Sequence, residues 1–350
     1  MQKSSYLILL AAGLISFSSL AQDIKPTSEK ALQESVDKHK AMLASTPLKD
    51  FKARNVGPTN MSGRIVDLEV ANNTNTFYIA AASGGVWKTE DNGQSFTPIF
   101  DHQGALGIGA MALSKSDNQV LWVGTGENNS SRSTYAGAGL YKSTDGGKTF
   151  QMMGLLHSHH IGQIQIHPTN PDIVWVGSMG SLYSKNKERG LYKTTDGGKT
   201  WKKILYIDTK TGVGEMIMDP NNPNKIFVNM WEHRRYPWFF KSGGPSSGLH
   251  VTIDGGETWK KLDDKNGLPK GDLGRMGLAM SKANSQKVYA LIESSKNALY
   301  VSEDGGEKFS MVNDKGEIGD RPFYYFEIYA DPKNENRIYT LYSRVGISED

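Results

Sequence analysis

A motif made of an aspartate, one or two glycines and a closing aromatic residue recurs along this chain of 350 residues. Five copies are complete, at residues 89–96, 143–150, 194–201, 252–259 and 302–309, and a sixth begins at 348–350. The shared aspartates, at intervals of 54, 51, 58, 50 and 46 residues, are Asp91, Asp145, Asp196, Asp254, Asp304 and Asp350. This spacing is close to the length of one four-stranded blade of a β-propeller.

The chemistry of the motif fits a tight hairpin turn. Glycine adopts the positive φ angles that such turns require, and an aspartate can accept hydrogen bonds from the amides of its own turn. The closing Trp or Phe can anchor the next strand by burying a large apolar surface. We therefore predict that the six aspartates are structural and not catalytic.

Short apolar runs bounded by Gly, Pro, Asn and Asp predict the strands of each blade. In the third repeat the four strands are predicted at 161–166, 173–177, 191–193 and 200–205. The second strands of the other repeats are predicted at 77–81, 120–124, 226–230, 288–292 and 338–342. The predicted fold is all-β, a β-propeller of four-stranded blades with five complete blades and a truncated sixth.

The two ends of the chain carry predictions of their own. Lys3, the apolar run 6–15 and the small residues before position 22 indicate a signal peptide at 1–21, with cleavage near Ala21. We expect a helical extension at 22–50, with the helix at 28–44, and a propeller at 51–350 that continues beyond the last residue. Residues 51–56 are expected to pair as the outer strand of the last blade.

Composition narrows the possible functions. The chain has no cysteine, which excludes disulfides, thiol nucleophiles and cysteine-based zinc sites. Its formal net charge of +3 is not gathered into a basic stripe, so we predict no nucleic-acid partner. The signal peptide predicts a secreted or periplasmic protein, with no transmembrane segment after cleavage.

One cluster of histidines invites a metal-site interpretation. Residues 157–160 read His-Ser-His-His, and histidines two apart on an extended segment can share a metal ion. A third ligand is not evident in the sequence. We therefore predict a polar turn there, with no metal and no cofactor.

The repeat resembles the Asp-box, or BNR, repeat, which occurs in sialidases, xyloglucan-cleaving glycosidases and sortilin-type (VPS10) receptors. Five further stretches are similar to a bacterial group described as sortilin-N-terminal-like, BNR-repeat or glycosyl hydrolase proteins. These stretches are 55–58 (Asn-Val-Gly-Pro), 62–65 (Ser-Gly-Arg-Ile), 124–127 (Gly-Thr-Gly-Glu), 242–245 (Ser-Gly-Gly-Pro) and 321–325 (Arg-Pro-Phe-Tyr-Tyr). The resemblance implies a β-propeller built from these repeats.

The connections between second and third strands are long in repeats two, three and four, at 127–138, 179–189 and 231–247. Long loops on a rigid scaffold often carry function, and aromatic rings beside charged groups suit glycans or peptides. The predicted ligand-binding residues on them are Asn128, Arg132, Tyr135, Tyr183, Arg189, Trp231, His233, Arg234 and Trp238. The alternative is that these loops pack on one another or cover a neighbouring domain.

Two arginines occupy matching places at the starts of first strands. Arg64 and Arg275 could each hold a ligand carboxylate with two parallel hydrogen bonds. Sialidases use an arginine cluster in this way, but their Arg-Ile-Pro signature is absent because Val66 follows Ile65. The alternative is a structural pairing of Arg64 with Asp67 or Glu69.

A glycosidase needs two carboxylates on either side of the bound sugar. Glu127 and Glu232 are the predicted catalytic pair, with Glu215 behind them. Resemblance to xyloglucan-cleaving enzymes argues against their chemistry, because Ala82 stands where the first-blade catalytic aspartate of that family belongs.

Three functions remain open from the sequence. The first is an exported propeller that binds glycan or peptide through its long loops. The second is a glycoside hydrolase of sialidase or xyloglucanase type. The third is a sortilin-like module for extracellular protein partners.

Overall fold

The computed structural model describes residues 24–48, 50–51, 64–130, 134–319 and 321–349. These residues form six antiparallel sheets, in which strands adjacent in sequence are neighbours. Blade 1 contains β1 (Ile65–Val70), β2 (Phe77–Ala81), β3 (Gly85–Thr89) and β4 (Thr97–Pro98). Blade 2 contains β5 (Ile108–Leu113), β6 (Leu121–Thr125), β7 (Leu140–Ser143) and β8 (Gln151–Met152).

The middle blades follow the same plan. Blade 3 contains β9 (Ile161–Ile166), β10 (Val174–Ser178), β11 (Gly190–Thr194) and β12 (Lys202–Leu205). Blade 4 contains β13 (Thr211–Asp219), β14 (Asn222–Arg235), β16 (Gly248–Thr252) and β17 (Lys260–Leu262), and a short β15 (Phe240–Ser242) pairs with the end of β14.

The last two blades differ in strand number. Blade 5 contains β18 (Met276–Met280), β19 (Val288–Ile292), β20 (Ala298–Ser302) and β21 (Ser310–Asn313). Blade 6 contains three strands among the described residues, β22 (Glu327–Ala330), β23 (Ile338–Leu341) and β24 (Val345–Ser348). The predicted closing strand at 51–56 lies outside the described residues except for Phe51, which is exposed and not in a strand.

The first strands of all six blades line one central cavity. Successive first strands pack side by side from β1 to β22, so the sheets are arranged around a common axis. This arrangement confirms the predicted all-β propeller. The second strand of blade 4 is the main departure, because β14 runs beyond the predicted 226–230 and continues into a hairpin with β15.

The core lies between blades, where apolar faces of neighbouring sheets meet. Trp122 of blade 2 is fully buried, and its ring meets Trp201 of blade 3 edge to face with centroids 6.0 Å apart. Burial of one large apolar side chain contributes roughly 1.5–3 kcal/mol. Aromatic residues that close the hairpins thus join each blade to the preceding one.

The Asp-box hairpins repeat one set of hydrogen bonds. Asp196 shows the pattern: its Oδ1 accepts from the Thr194 hydroxyl and the Thr200 amide, at 2.7 and 3.0 Å. Its Oδ2 accepts from the Thr200 hydroxyl at 2.6 Å. The same pattern surrounds Asp91, Asp145 and Asp254, whereas Asp304 has Lys308 in place of the second hydroxyl residue. Asp350 lies outside the described residues.

One helix precedes the propeller. Helix α1 (Glu29–Ser45) is capped by Ser28, whose hydroxyl accepts from the Ala31 amide at 3.3 Å, and Val36 is its buried residue. The Glu29 carboxylate lies 3.0 Å from Nε2 of His157, in the turn between blades 2 and 3. This contact places the helix against the outside of the propeller.

Candidate functional site

Alternating strand direction gives every blade two different ends. The turns between first and second strands share one end with the Asp-box hairpins, which we call the Asp-box end. The connections between second and third strands lie at the opposite end, which we call the loop end. An amide of each complete hairpin donates to a carbonyl of the adjacent turn, as Gly146 does to Gln119. The Asp-box end is therefore uniform from blade to blade.

The central cavity has a volume of about 380 Å³ and a wall rich in carboxylates. Asp67 and Glu215 belong to blades 1 and 4, which stand opposite each other in a ring of six. Burial raises the pKa of Asp67 to about 7 and that of Glu215 to about 8, and the nearby charge of Glu327 acts in the same direction. The cavity therefore holds carboxyl groups that protonate near neutral pH.

Residues 321–325, which we call the cap segment, cross the loop end of the ring. Its Phe323 carbonyl accepts from the Ser130 amide of blade 2 at 3.1 Å. On the far side, Arg275 of blade 5 donates to the Pro322 carbonyl at 3.4 Å. Because blades 2 and 5 also stand opposite each other, the cap segment spans the central axis. The inserted loops therefore surround a covered mouth and not an open one.

Glu127 lies in this covered region and is only 1% exposed. Its Oε1 accepts from Arg64, while burial raises its pKa despite that hydrogen bond. The predicted pairing of Arg64 with Asp67 or Glu69 is therefore wrong. Glu69 pairs instead with Lys115 at 2.9 Å, and Asp67 accepts from the Met111 amide of the next blade at 2.7 Å.

Glu232 is equally buried but sits in a different ion pair. Its Oε1 accepts from Lys241 at 2.5 Å, with Lys210 at 4.0 Å, and Oε2 accepts from Ser246 at 3.2 Å. Burial opposes ionisation, yet the Lys241 hydrogen bond and the lysine charges outweigh it and lower the pKa of Glu232. Glu127 and Glu232 thus occupy separate salt bridges, and their role as a catalytic pair stays a prediction.

Several predicted ligand-binding residues are interior supports. Arg189 is 1% exposed and donates to the carbonyls of Lys210 at 2.8 Å and Ser181 at 2.6 Å. It also donates to the carbonyl of His233 at 3.3 Å, which ties the inserted loop of blade 3 to blade 4. The alternative that the loops pack on one another therefore describes much of this end.

Two more predicted ligand-binding residues, Trp231 and His233, are also interior supports. Trp231 and His233 lie within β14 and not in a loop, and their rings stack with centroids 4.2 Å apart. The Arg275 guanidinium lies 5.6 Å from the Trp231 ring centroid. Asn128 is buried against the central cavity, and its Oδ1 has no hydrogen-bond partner in the described part of the chain. Arg132 lies outside the described residues.

Three predicted residues remain exposed at the loop end, Tyr135, Tyr183 and Trp238. Trp238 is 76% exposed and sits in the turn of the β14–β15 hairpin. Next to it, the rings of Tyr236 and Phe239 stack at 4.6 Å and 5°. We call Tyr236, Trp238 and Phe239 the aromatic tip.

Arg234 supports the aromatic tip from below, 4.7 Å from the Tyr236 ring centroid. Both residues also line a small cavity of about 50 Å³ beside the tip. The prediction from sequence did not single out Tyr236. The run Tyr-Pro-Trp-Phe-Phe at 236–240 was the available signal, because so dense an aromatic run in a polar connection is unusual.

The histidine cluster is part of the packing. His160 is buried, its Nδ1 lies 2.9 Å from the Glu127 carbonyl, and burial lowers its pKa to about 3. In the part of the chain that the structure describes, three or more His, Asp or Glu side chains nowhere gather in a metal-binding arrangement. Among the same residues, no helix has both the length and the apolar character needed to cross a bilayer.

Comparison with known proteins agrees with this architecture. The sequence profile of the Sortilin-Vps10 family, described as sortilin, neurotensin receptor 3, matches residues 84–235 and 138–268. Together these matches extend over 84–268, which is more than half of the chain.

Curated relatives include two xyloglucan-degrading enzymes. The xyloglucanase Xgh74A of Acetivibrio thermocellus is 26% identical over 234 residues, covering 58% of this chain and 26% of that protein. The oligoxyloglucan-reducing end-specific xyloglucanase of Emericella nidulans is 23% identical over 206 residues, covering 54% and 22%. The chain thus spans about a quarter of the length of these relatives.

Solved structures share the fold at low sequence identity. The GH74 enzyme of Niastella koreensis superposes with a TM-score of 0.59 at 18% identity, covering 81% of this chain and 44% of that one. An ancestral GH74 enzyme gives a TM-score of 0.58 at 20% identity, covering 82% and 36%. At this identity the likeness establishes the propeller fold alone.

Proposed function

We propose that this chain, which belongs to the Sortilin-Vps10 family, is an exported propeller that binds a glycan through the aromatic tip. The observation that carries the proposal is the exposure of Trp238 beside the stacked Tyr236 and Phe239. Aromatic rings that are exposed together on one hairpin form an apolar patch, and such patches often mark ligand-binding sites.

The chemistry of the tip favours a sugar. Pyranose rings present apolar C–H faces that stack on flat aromatic rings, while their hydroxyls need polar partners nearby. Arg234 and the small cavity supply such partners at the base of the tip. The xyloglucan-degrading relatives support a glycan over other ligands, since the names of both refer to xyloglucan or its oligosaccharides.

Binding to a glycan array and titration calorimetry with the bound oligosaccharides test this proposal. Trp238→Ala should weaken affinity about tenfold, the effect of losing roughly 1.4 kcal/mol of contact. Ile253→Ala is the matched control, because Ile253 is 72% exposed at the Asp-box end. This variant should bind the glycan with the affinity of the wild type. Equal affinity of the wild type and Trp238→Ala would refute the aromatic tip as the site.

A second candidate function is glycoside hydrolysis in the central cavity. It is favoured by the raised pKa of Asp67 and Glu215 on opposite blades, because a general acid must hold its proton near neutral pH. The buried Ala82 offers no acid group, so this chemistry would differ from that implied by the xyloglucanase resemblance.

Release of reducing sugar from xyloglucan and related polysaccharides tests the hydrolase candidate. Activity that is lost in Glu215→Gln and kept in Glu232→Gln would place catalysis in the cavity. Absence of release from every polysaccharide that the chain binds would leave binding as the function of this propeller.

A further inference from the structure

Three carboxylates on the wall of the central cavity have no cationic partner. Asp67, Glu215 and Glu327 lie on the first strands of blades 1, 4 and 6 and line this cavity of about 380 Å³. Within the described part of the chain, none of the three forms an ion pair. Glu69 lines the same wall but is already paired with Lys115 at 2.9 Å. The wall therefore presents three carboxylates without a counter-ion.

Two cationic side chains approach this wall without satisfying it. Lys282 lines the cavity from the exposed turn between β18 and β19 and forms no ion pair with a described residue. Burial is the largest influence on the pKa of Glu215, and the opposing charge of Arg275 does not outweigh it. The guanidinium of Arg275 instead donates to two carbonyls of the cap segment. Asp67 and Glu215 thus keep a raised pKa, and neither cation stabilises them as anions.

A neutral acceptor on the same wall also lacks a partner. Asn128 is 6% exposed and lines the cavity, and its Oδ1 accepts no hydrogen bond from the residues that the structure describes. A buried acceptor without a donor costs free energy comparable to a lost hydrogen bond. This observation is independent of the carboxylates, because what Asn128 lacks is a hydrogen-bond donor.

The rest of the wall selects the kind of cation. No three acidic or histidine side chains of the described residues are placed to share a metal ion. Ala110 and Leu278, on blades 2 and 5, add apolar surface between the acidic positions. Pro220 and Pro332 line the cavity at the Asp-box end, whereas the cap segment crosses the loop end. A ligand that enters from the Asp-box end therefore meets separated carboxylates with apolar surface between them.

We infer that the central cavity binds an aliphatic polyamine, a ligand whose ammonium groups are separated by methylene chains. Each ammonium carries several N–H donors for the carboxylates and for Asn128, and the methylene groups pack on the apolar part of the wall. A cavity of about 380 Å³ is large enough for a small molecule of this kind. Because this site is separate from the aromatic tip, the inference goes beyond the proposed glycan binding.

Matched ligands test whether charge is needed. Calorimetry compares spermidine with octanediol, an uncharged aliphatic chain of the same length. Spermidine should bind about tenfold or more tightly than the diol, and its affinity should fall as salt is raised from about 50 to about 500 mM, which shortens the screening length. Equal affinity for the two ligands, or no binding of either, would overturn the inference.

Two further ligands separate the polyamine from other cations. Tri-lysine presents ammonium groups on a peptide, and calcium chloride supplies a divalent metal ion. We expect spermidine to bind more tightly than either. Tighter binding of tri-lysine would assign the wall to lysine side chains of a peptide, and tighter binding of calcium would assign it to a metal ion. Either result would overturn the polyamine.

Matched variants locate the site. Glu215→Gln with Glu327→Gln removes two cavity carboxylates, keeps their shapes and should weaken spermidine binding about tenfold or more. The control, Glu257→Gln with Glu307→Gln, removes two exposed carboxylates that do not line the cavity and should bind spermidine like the wild type. Equal losses in the two double variants would show a general charge effect and contradict the site.

Binding should also release protons. Burial, reinforced by nearby carboxylates, raises the pKa of Asp67 to about 7 and that of Glu215 to about 8, so near neutral pH these groups hold protons that an ammonium displaces. Tyr329, whose hydroxyl donates to Glu327 at 3.3 Å, stays neutral because burial raises its pKa. Affinity for spermidine should therefore rise between about pH 6 and 9.

Calorimetry at pH 7 in two buffers of different ionisation enthalpy measures the released protons, and binding without proton release would count against the inference. Trp238→Ala should bind spermidine with the affinity of the wild type. Failure of the glycan site and failure of the cavity site are therefore separate outcomes.

Discussion

Carboxylates at the Asp-box end and in the central cavity differ in burial and in hydrogen bonding, and both properties affect their pKa. The hairpin carboxylates are bathed in water and accept hydrogen bonds from hydroxyls and amides of their own turn, which lowers the pKa of Asp91 and Asp145 to about 2. In the cavity, burial raises the pKa of Asp67 and Glu215 instead. The hairpin carboxylates are stabilised as anions by groups close in sequence. The cavity carboxylates are destabilised as anions because the tertiary structure buries them.

The comparison extends to the two ends as wholes. At the Asp-box end one hydrogen-bonding scheme recurs in every complete hairpin, so each copy supports its blade. At the loop end, by contrast, the salt bridges of Glu127 and Glu232 and the hub at Arg189 occur once each. Arrangements that differ from blade to blade can recognise a specific ligand, which is why we propose a ligand site at the loop end.

The largest expected effect is at the loop end. Arg189→Met should lower the free energy of unfolding by about 3–5 kcal/mol, because the carbonyls of Ser181 and Lys210 would be left buried without their donor. Urea denaturation measures this loss of stability. Lys187→Met on the same loop is exposed and should change stability by less than about 0.5 kcal/mol. Similar values for both would show that the loop end is not held together by Arg189.

Two glycines, Gly198 in an Asp-box hairpin and Gly271 in the connection between β17 and β18, separate the effect of turn conformation from that of packing. Gly198 has φ +93°, and a Cβ there would lie 2.5 Å from the Trp122 ring, so Gly198→Ala should cost about 2–4 kcal/mol. Gly271 has φ +91° with open space around it, and Gly271→Ala should cost about 1 kcal/mol. Thermal unfolding of the two variants gives the difference, and equal losses would mean that the hairpin does not pack on Trp122.

The pH dependence of stability in Glu215→Gln tests whether the cavity carboxylates are destabilised as anions. The folded-state pKa of Glu215, about 8, exceeds its unfolded value, so the folded state binds more protons and stability falls as pH rises between about 4.5 and 8. The variant should therefore be as stable as the wild type near pH 4.5 and more stable than the wild type at pH 9. Destabilisation at pH 9 would show that Glu215 is stabilised as an anion.

Asp145→Asn should change stability in the opposite direction to Glu215→Gln, and its effect should be the smallest of these variants. The pKa of Asp145 is depressed to about 2, so its stabilising contribution is complete above the unfolded pKa and is lost as pH falls through the folded one. The variant should be slightly less stable than the wild type at pH 7, with the gap closing between about pH 4 and 2. A gap that is constant with pH would assign the effect to shape and not to charge.

The same contrast explains what could be predicted from the sequence. The strands at 77–81, 161–166 and 288–292 are observed with the predicted bounds, because turn residues and short apolar runs specify a blade locally. The partner of Arg64 could not be predicted, since Glu127 lies 63 residues away and the pairing depends on how two blades meet. The burial of Trp231 and His233 was missed because β14 continues where a loop was expected.

Hydrogen–deuterium exchange with and without a saturating concentration of an oligosaccharide that binds on the glycan array tests most directly whether recognition belongs to the loop end. We expect slower exchange at 183–189 and 232–242, and unchanged exchange in the Asp-box hairpins and in the first strands that line the cavity. Protection of the hairpins or of the cavity strands, with none at 232–242, would contradict the account.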